Sequence, residues 1–120
     1  MRLLADLCVG LVALLHLGFL VLEMFLWNRP IGRRIFGLPA DVMRASAPLA
    51  ASQGLYNGFL AAGLGWGLAL GPAGTQVRVF FLGCVLIAGI FGAVTAKRSI
   101  LWIQALPAAI ALLLTALARP

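Results

Sequence analysis

Residues 14–27 read LLHLGFLVLEMFLW, an apolar run broken only by His16 and Glu23. With the residues before it, this run forms an apolar stretch from Leu3 to Trp27, and a membrane-spanning helix needs only about 20 such residues. The whole chain of 120 residues is 63% hydrophobic and 10% charged, with a mean hydropathy of +1.10. Soluble domains are about a quarter charged. The composition therefore predicts an integral membrane protein.

Three more apolar stretches of similar length follow the first. Together the four stretches predict an all-α fold, a bundle of four transmembrane helices in one integral membrane domain, residues 1–120. The predicted helices cover about residues 3–27, 48–70, 77–96 and 100–117. Between the first two, the sequence LPADVMRAS predicts a short helix on the membrane surface, because Pro39 suits a first helical turn.

Basic residues are divided unevenly between the predicted loops. Those after the first and third helices are Arg29, Arg33, Arg34, Arg44, Lys97 and Arg98, and those on the opposite side are Arg2, Arg78 and Arg119. Because cytoplasmic loops are enriched in Lys and Arg, we expect both termini on the non-cytoplasmic side of the cell (inner) membrane. The net charge of +6 then faces anionic lipid headgroups, and no nucleic-acid partner is expected because the charges lie at membrane boundaries.

Glycine spacing indicates how the helices associate. The second helix has Gly54 and Gly58 four residues apart, and Gly63 and Gly67 repeat the step. Small residues at this spacing allow close backbone approach between membrane helices, which predicts a central second helix and a possible homo-oligomer through glycine-rich faces. No cofactor or metal is predicted, and the two cysteines lie within apolar runs, where a thiol packs as a small apolar group.

Polar side chains inside the predicted helices define a candidate site. His16 and Glu23 are seven residues apart, so they share one helix face but are separated by about 10.5 Å along the axis. Other polar groups are needed between them, and Gln53 and Asn57 on the second helix lie at suitable depths. Ionisable residues within a span usually mark a site. The predicted ligand-binding residues are His16, Glu23, Gln53, Tyr56, Asn57 and Gln104.

Several blocks of the sequence resemble a known family. The blocks HLGFLVLEMFLW, RPIGRRIFGL, SQGLYNGFLAAGL, FFLGCVLIAGIFGAVT and QALPA are similar to the small bacterial and fungal integral membrane proteins called domain of unknown function 1304. This resemblance covers almost the whole chain. It implies the membrane architecture and the same six site residues, and it implies no reaction.

The six polar residues of the candidate site form a polar seam between the predicted helices. This seam is compatible with three functions. We favour binding or transport of a small polar or cationic ligand, or of protons, at Glu23 and His16. An intramembrane enzyme acting on a lipid-soluble substrate would use His16 as acid or base and Glu23 as its partner. In a membrane scaffold, the seam would only set the helix register. A metal held by His16 and Glu23 is disfavoured because a third ligand of the usual type is lacking.

Overall fold

The computed structural model describes residues 1–119, which contain helices and no strand. The five α-helices are α1 (Arg2–Met24), α2 (Pro30–Phe36), α3 (Ala40–Ala69), α4 (Thr75–Thr95) and α5 (Leu106–Leu117). A 3-10 turn at Gly71–Gly74 precedes α4, and a π-helical segment at Leu101–Ala105 leads into α5. The predicted all-α class is confirmed.

Two helical segments are long and apolar enough to cross a membrane. They are Arg2–Met24 and Gly71–Thr95, each with a mean hydropathy of 2.3, and a shorter apolar helix covers Leu101–Leu117. The remaining long helix, α3, is less apolar because it carries polar residues such as Gln53 and Asn57 near its middle. By length and composition, these two segments could cross a membrane.

The predicted start of the second long helix is wrong. Helix α3 begins at Ala40 and continues through Pro48, so the short surface helix expected before Pro48 is its first part. Proline in a helix interior removes one hydrogen bond, here the one to the carbonyl of Arg44. Both Pro48 and Arg44 are exposed, so that carbonyl has access to other donors and the helix continues.

Helix α2 was not predicted from the sequence, although its ends follow known rules. Pro30 occupies its first turn, and the residue before it, Arg29, is extended with φ −102° and ψ 164°. The helix ends at Gly37, which has a left-handed φ of 67° and donates its backbone N–H to the carbonyl of Arg33 at 2.9 Å. These signals delimit only seven residues.

The chain divides into two compact units. The first contains residues 1–14 and the chain from Leu60 onward. Its core is formed by the buried residues Val9, Val12, Leu64, Leu82, Val85, Ala108 and Ala111. A Cβ atom on Gly89 of α4 would lie 2.8 Å from the backbone nitrogen of Ala105, so the absence of a side chain permits backbone contact between these two segments.

The second unit, Leu15–Phe59, contains the end of α1, all of α2 and the first part of α3. A Cβ atom on Gly54 would lie 2.7 Å from Cγ of Met24 and 3.2 Å from the carbonyl oxygen of Leu20. A Cβ atom on Gly58 would lie 2.6 Å from Cδ1 of Leu20. The close helix approach predicted at Gly54 and Gly58 is therefore confirmed, with α1 as the neighbour.

Candidate ligand-binding site

Glu23 and Asn57 form a direct polar link between α1 and α3. The side-chain amide Nδ2 of Asn57 donates a hydrogen bond to Oε1 of Glu23. Asn57 is buried, with 6% of its surface exposed, whereas Glu23 is half-buried. The contact depends on Gly54, because a Cβ atom there would lie 3.0 Å from Cβ of Glu23. The glycine thus allows α1 close enough for the carboxyl group to reach Asn57.

Glu23 also faces a cavity of about 390 Å³ at the end of α1. The wall residues are Glu23, Met24, Phe25, Trp27, Asn28, Arg29 and Ala47. Most of them are nearly consecutive, because the chain turns at this point from α1 toward α2. The cavity therefore combines one acidic side chain with two aromatic rings and polar groups of the turn.

Trp27 is held in place on two sides. Its indole Nε1–H donates to the hydroxyl of Ser46 at 3.1 Å, and its ring lies against Phe36 with centroids 4.5 Å apart. The hydrogen bond and the ring contact, which is tilted at 44°, both restrain the orientation of the indole. Trp27 is therefore the restrained ring of the cavity wall.

The turn that carries Asn28 is also fixed. Arg33 of α2 donates to the side-chain oxygen of Asn28 at 3.3 Å and to its backbone carbonyl at 3.1 Å. Gly32 is buried against the backbone carbonyls of Leu26 and Trp27, where a Cβ atom would collide. Helix α2 thus packs against the turn that follows α1 and holds the residues of the cavity wall.

Charge at the site is dominated by Glu23 and the exposed Arg29. Within residues 1–119, the ion pairs join Asp6 to Arg2 and to Arg78, and none involves Glu23. The carboxyl group of Glu23 instead accepts a hydrogen bond from a neutral amide. When it is ionised, a carboxyl group bonded to a neutral amide at a cavity wall can still pair with a cationic ligand.

The other predicted site residues have different surroundings. His16 is completely buried, and its ring meets Phe19 edge-on with centroids 5.1 Å apart. Gln53 and Tyr56 are exposed, and Tyr56 contacts the ring of Phe59 at 5.8 Å. The hydrogen bond from Asn57 thus joins two of the six predicted residues, and of this pair Glu23 lines the cavity.

Gln104 lies in the first unit, within the π-helical segment. Its Nε2 donates to the backbone carbonyl of Val85 at 3.3 Å, which connects the π-helical segment to α4. Sequence reasoning did not include Phe25, Trp27 and Asn28 as site residues. Their position in the sequence could have indicated them, because they follow Glu23 directly and precede Pro30, which cannot continue helix α1.

Comparison with known proteins supports the inferred relationship. The family described as "Protein of unknown function (DUF1304)" matches residues 10–116. The chain belongs to this family. The DUF1304 match includes all six predicted site residues and the aromatic wall of the cavity, so the candidate site lies within the family region. No curated protein and no solved structure matches the chain.

Proposed function

We propose that this protein binds a small polar or cationic ligand in the cavity beside Glu23, and that organic ammonium ions are the favoured class. The observation that carries the proposal is the cavity of about 390 Å³, whose wall includes the Glu23 carboxyl group and the ring of Trp27. A carboxylate neutralises an ammonium group, and an aromatic face attracts it further by a cation–π interaction. Arg29 in the same wall is exposed, so the proposed preference for cations rests on the carboxyl group and the aromatic ring together.

We propose further that the site lies in a protein with four membrane spans in the inner membrane, with both termini outside the cytoplasm. The spans would be α1, the later part of α3, α4 with its preceding turn, and the segment 101–117. Support comes from the exposure of the apolar helices. In the apolar 18-residue parts of Arg2–Met24 and Gly71–Thr95, only 17% and 22% are buried. Extensive exposed apolar surface is compatible with lipid contact and unusual for a soluble monomer.

Helix α3 supports the same arrangement through its length. Thirty residues at about 1.5 Å each extend about 45 Å, whereas the hydrocarbon core is about 30 Å thick. We therefore place the first turns of α3, with Asp41 and Arg44, in the cytoplasmic headgroup region. The cavity at the end of α1 would then open toward the cytoplasm.

Transport would require more than one chain. A chain of this size is short for a complete alternating-access transporter, so a pathway would be enclosed by a symmetric oligomer. Four glycines inside helices have no atom within 4 Å of an added Cβ, and they leave open helix faces for such an association: Gly10, Gly18, Gly65 and Gly83. Transport through an oligomer is therefore the proposed extension of ligand binding.

Binding of choline and methylammonium to the purified protein in detergent tests the proposal by isothermal titration calorimetry. We expect saturable binding, weakened about tenfold or more by Glu23→Gln, since the variant keeps the shape but removes the charge. The control is Asp41→Asn, which removes an exposed carboxylate outside the cavity and should leave the affinity unchanged. Equal affinity in Glu23→Gln and the wild type, or no binding of either cation, would contradict the proposal. Glu23 would then serve only to link α1 and α3 through its hydrogen bond with Asn57.

A further inference from the structure

A second cavity, of about 150 Å³, lies in the unit formed by residues 1–14 and the chain from Leu60 onward. The wall residues are Arg2, Ala5, Asp6, Pro72, Thr75, Arg78, Thr115 and Ala118. Helices α1 and α4 begin here, and α5 ends one residue before Ala118. The cavity is therefore at the helix ends of this unit, where a membrane protein meets lipid headgroups.

Arg78 is the central charged residue of this cavity. Its side chain is 5% exposed, and its Nη1 donates to the backbone carbonyls of Gly67 at 2.6 Å and Gly71 at 2.8 Å. Its Nη2 donates to the hydroxyl of Thr75 at 3.1 Å. Carbonyls at a helix end lack intrahelical donors, so the bonds from Nη1 cap the C-terminal end of α3. This accounts for the two terminal nitrogens of the guanidinium group.

The third nitrogen of Arg78 has a different environment. Within residues 1–119, Nε is buried and has no hydrogen-bond acceptor, and Oδ1 of Asp6 lies 4.0 Å away. The hydroxyl of Thr115 is also buried, with 4% of the residue exposed, and has no hydrogen-bond partner in the described chain. Buried polar groups are normally satisfied, because removing one from water without a new hydrogen-bond partner is unfavourable. Both residues line the cavity, so a ligand bound there could satisfy both groups.

Charge defines the class of that ligand. Arg2 and Arg78 supply two positive charges, and Asp6, 3.9 Å from Nε of Arg2, supplies one negative charge. The wall therefore has a formal charge of +1, which one phosphodiester group would balance. Guanidinium groups and hydroxyls are both effective donors to phosphate oxygens.

We propose that this cavity binds the phosphodiester group of a membrane phospholipid. The phosphate oxygens accept hydrogen bonds from Nε of Arg78, from the hydroxyl of Thr115 and from the half-exposed side chain of Arg2. A lipid is favoured over free phosphate because Leu3 and Leu7, next in sequence to Arg2 and Asp6, expose apolar side chains that acyl chains can cover. This site depends on membrane insertion and is independent of cation binding at Glu23.

Native mass spectrometry of the delipidated protein with added phosphatidylglycerol tests the proposal. We expect one tightly bound lipid per chain. Thr115→Val, which keeps the side-chain shape, should weaken lipid binding about tenfold, as expected for the loss of one hydrogen bond to a charged group. Its control is Thr95→Val, because the exposed Thr95 hydroxyl bonds to the carbonyl of Phe91 and lies outside the cavity wall.

A second measurement identifies the source of the phosphate. Inorganic phosphate and glycerol phosphate are titrated as competitors, and we expect each to displace the lipid only at concentrations at least about a hundredfold higher. Displacement by inorganic phosphate at equal concentration would overturn the lipid as ligand. Absence of bound lipid, or unchanged affinity in Thr115→Val, would overturn the site. Arg78 is left unchanged in these tests because its substitution would also open the end of α3.

Discussion

The side-chain amide of Asn57 donates a hydrogen bond to the carboxyl oxygen Oε1 of Glu23, across a separation of 34 residues in sequence. This bond orients a half-buried acidic group at the wall of a cavity. A carboxylate accepts up to about four hydrogen bonds, so one bond from Asn57 leaves acceptor capacity for a ligand. The same contact therefore links the two helices and orients the carboxyl group at the cavity wall.

The energetic coupling of these two residues is the first prediction. Asn57→Leu and Glu23→Leu each remove one partner of the hydrogen bond. Each should lower the free energy of unfolding, because the remaining polar group loses its bond. The double variant should be less destabilised than the sum, with a coupling energy of about 0.6–2 kcal/mol. Chemical unfolding in detergent measures all three variants. Gln53→Leu, an exposed amide on the same helix, serves as control, and strict additivity would contradict the prediction.

The second prediction compares two glycines of α4 by the same substitution. In Gly89→Ala the new Cβ would lie 2.8 Å from the backbone nitrogen of Ala105, so we expect a loss of about 1–3 kcal/mol from overpacking. In Gly83→Ala no atom would lie within 4 Å of the new Cβ. The higher helix propensity of alanine should therefore stabilise the protein by up to about 1 kcal/mol. Equal unfolding temperatures for the two variants would show that α4 does not approach Ala105 closely.

The third prediction concerns the aromatic wall of the cavity. Trp27→Leu removes the indole and should weaken choline binding about threefold to tenfold, because a cation–π contact contributes about 0.5–1 kcal/mol or more. Trp66→Leu removes an indole that is 57% exposed and outside the cavity wall, and it should bind choline as the wild type does. The outcome is measured by titration calorimetry. A stronger effect of Trp66→Leu would place the ligand elsewhere.

The fourth prediction concerns membrane orientation. A fluorescent protein that matures only in the cytoplasm should remain dark when fused to the C-terminus, and alkaline phosphatase at the same position should be active. A fusion in the basic turn at Lys97 and Arg98 should give the opposite pair of results. Strong fluorescence at the C-terminus would reverse the proposed topology and place the Glu23 cavity on the outer face.

The helices were predictable from sequence where one local signal was sufficient. The apolar run of α1 and the apolar residues of α4 gave the correct elements within a few residues. The start of α3 was missed because Pro48 is also a common helix start, and only its exposed surroundings explain why the helix continues. Proline alone does not distinguish these two cases.

The candidate site was predictable only in part. Glu23 and Asn57 were both predicted as site residues, with Asn57 at the depth of His16, whereas the structure joins Asn57 to Glu23 by a hydrogen bond. Depth along a helix does not specify rotation about its axis, so the exposure of Gln53 could not be derived. The cavity wall at Trp27 depends on contacts with Ser46 and Phe36, which lie on other helices and have no local pattern in the sequence.

The π-helical segment before α5 affects how the chain tolerates changes in length. Leu106 donates its backbone N–H to the carbonyl of Leu101, five residues earlier, so this turn holds one residue more than an α-turn. Deleting one residue from an α-helix rotates everything beyond it by about 100° relative to the residues before it. Deleting one residue within 101–105 would instead convert the π-turn to an α-turn and keep Ala108 and Ala111 facing the core. A single-residue deletion is therefore expected to be better tolerated here than within α4.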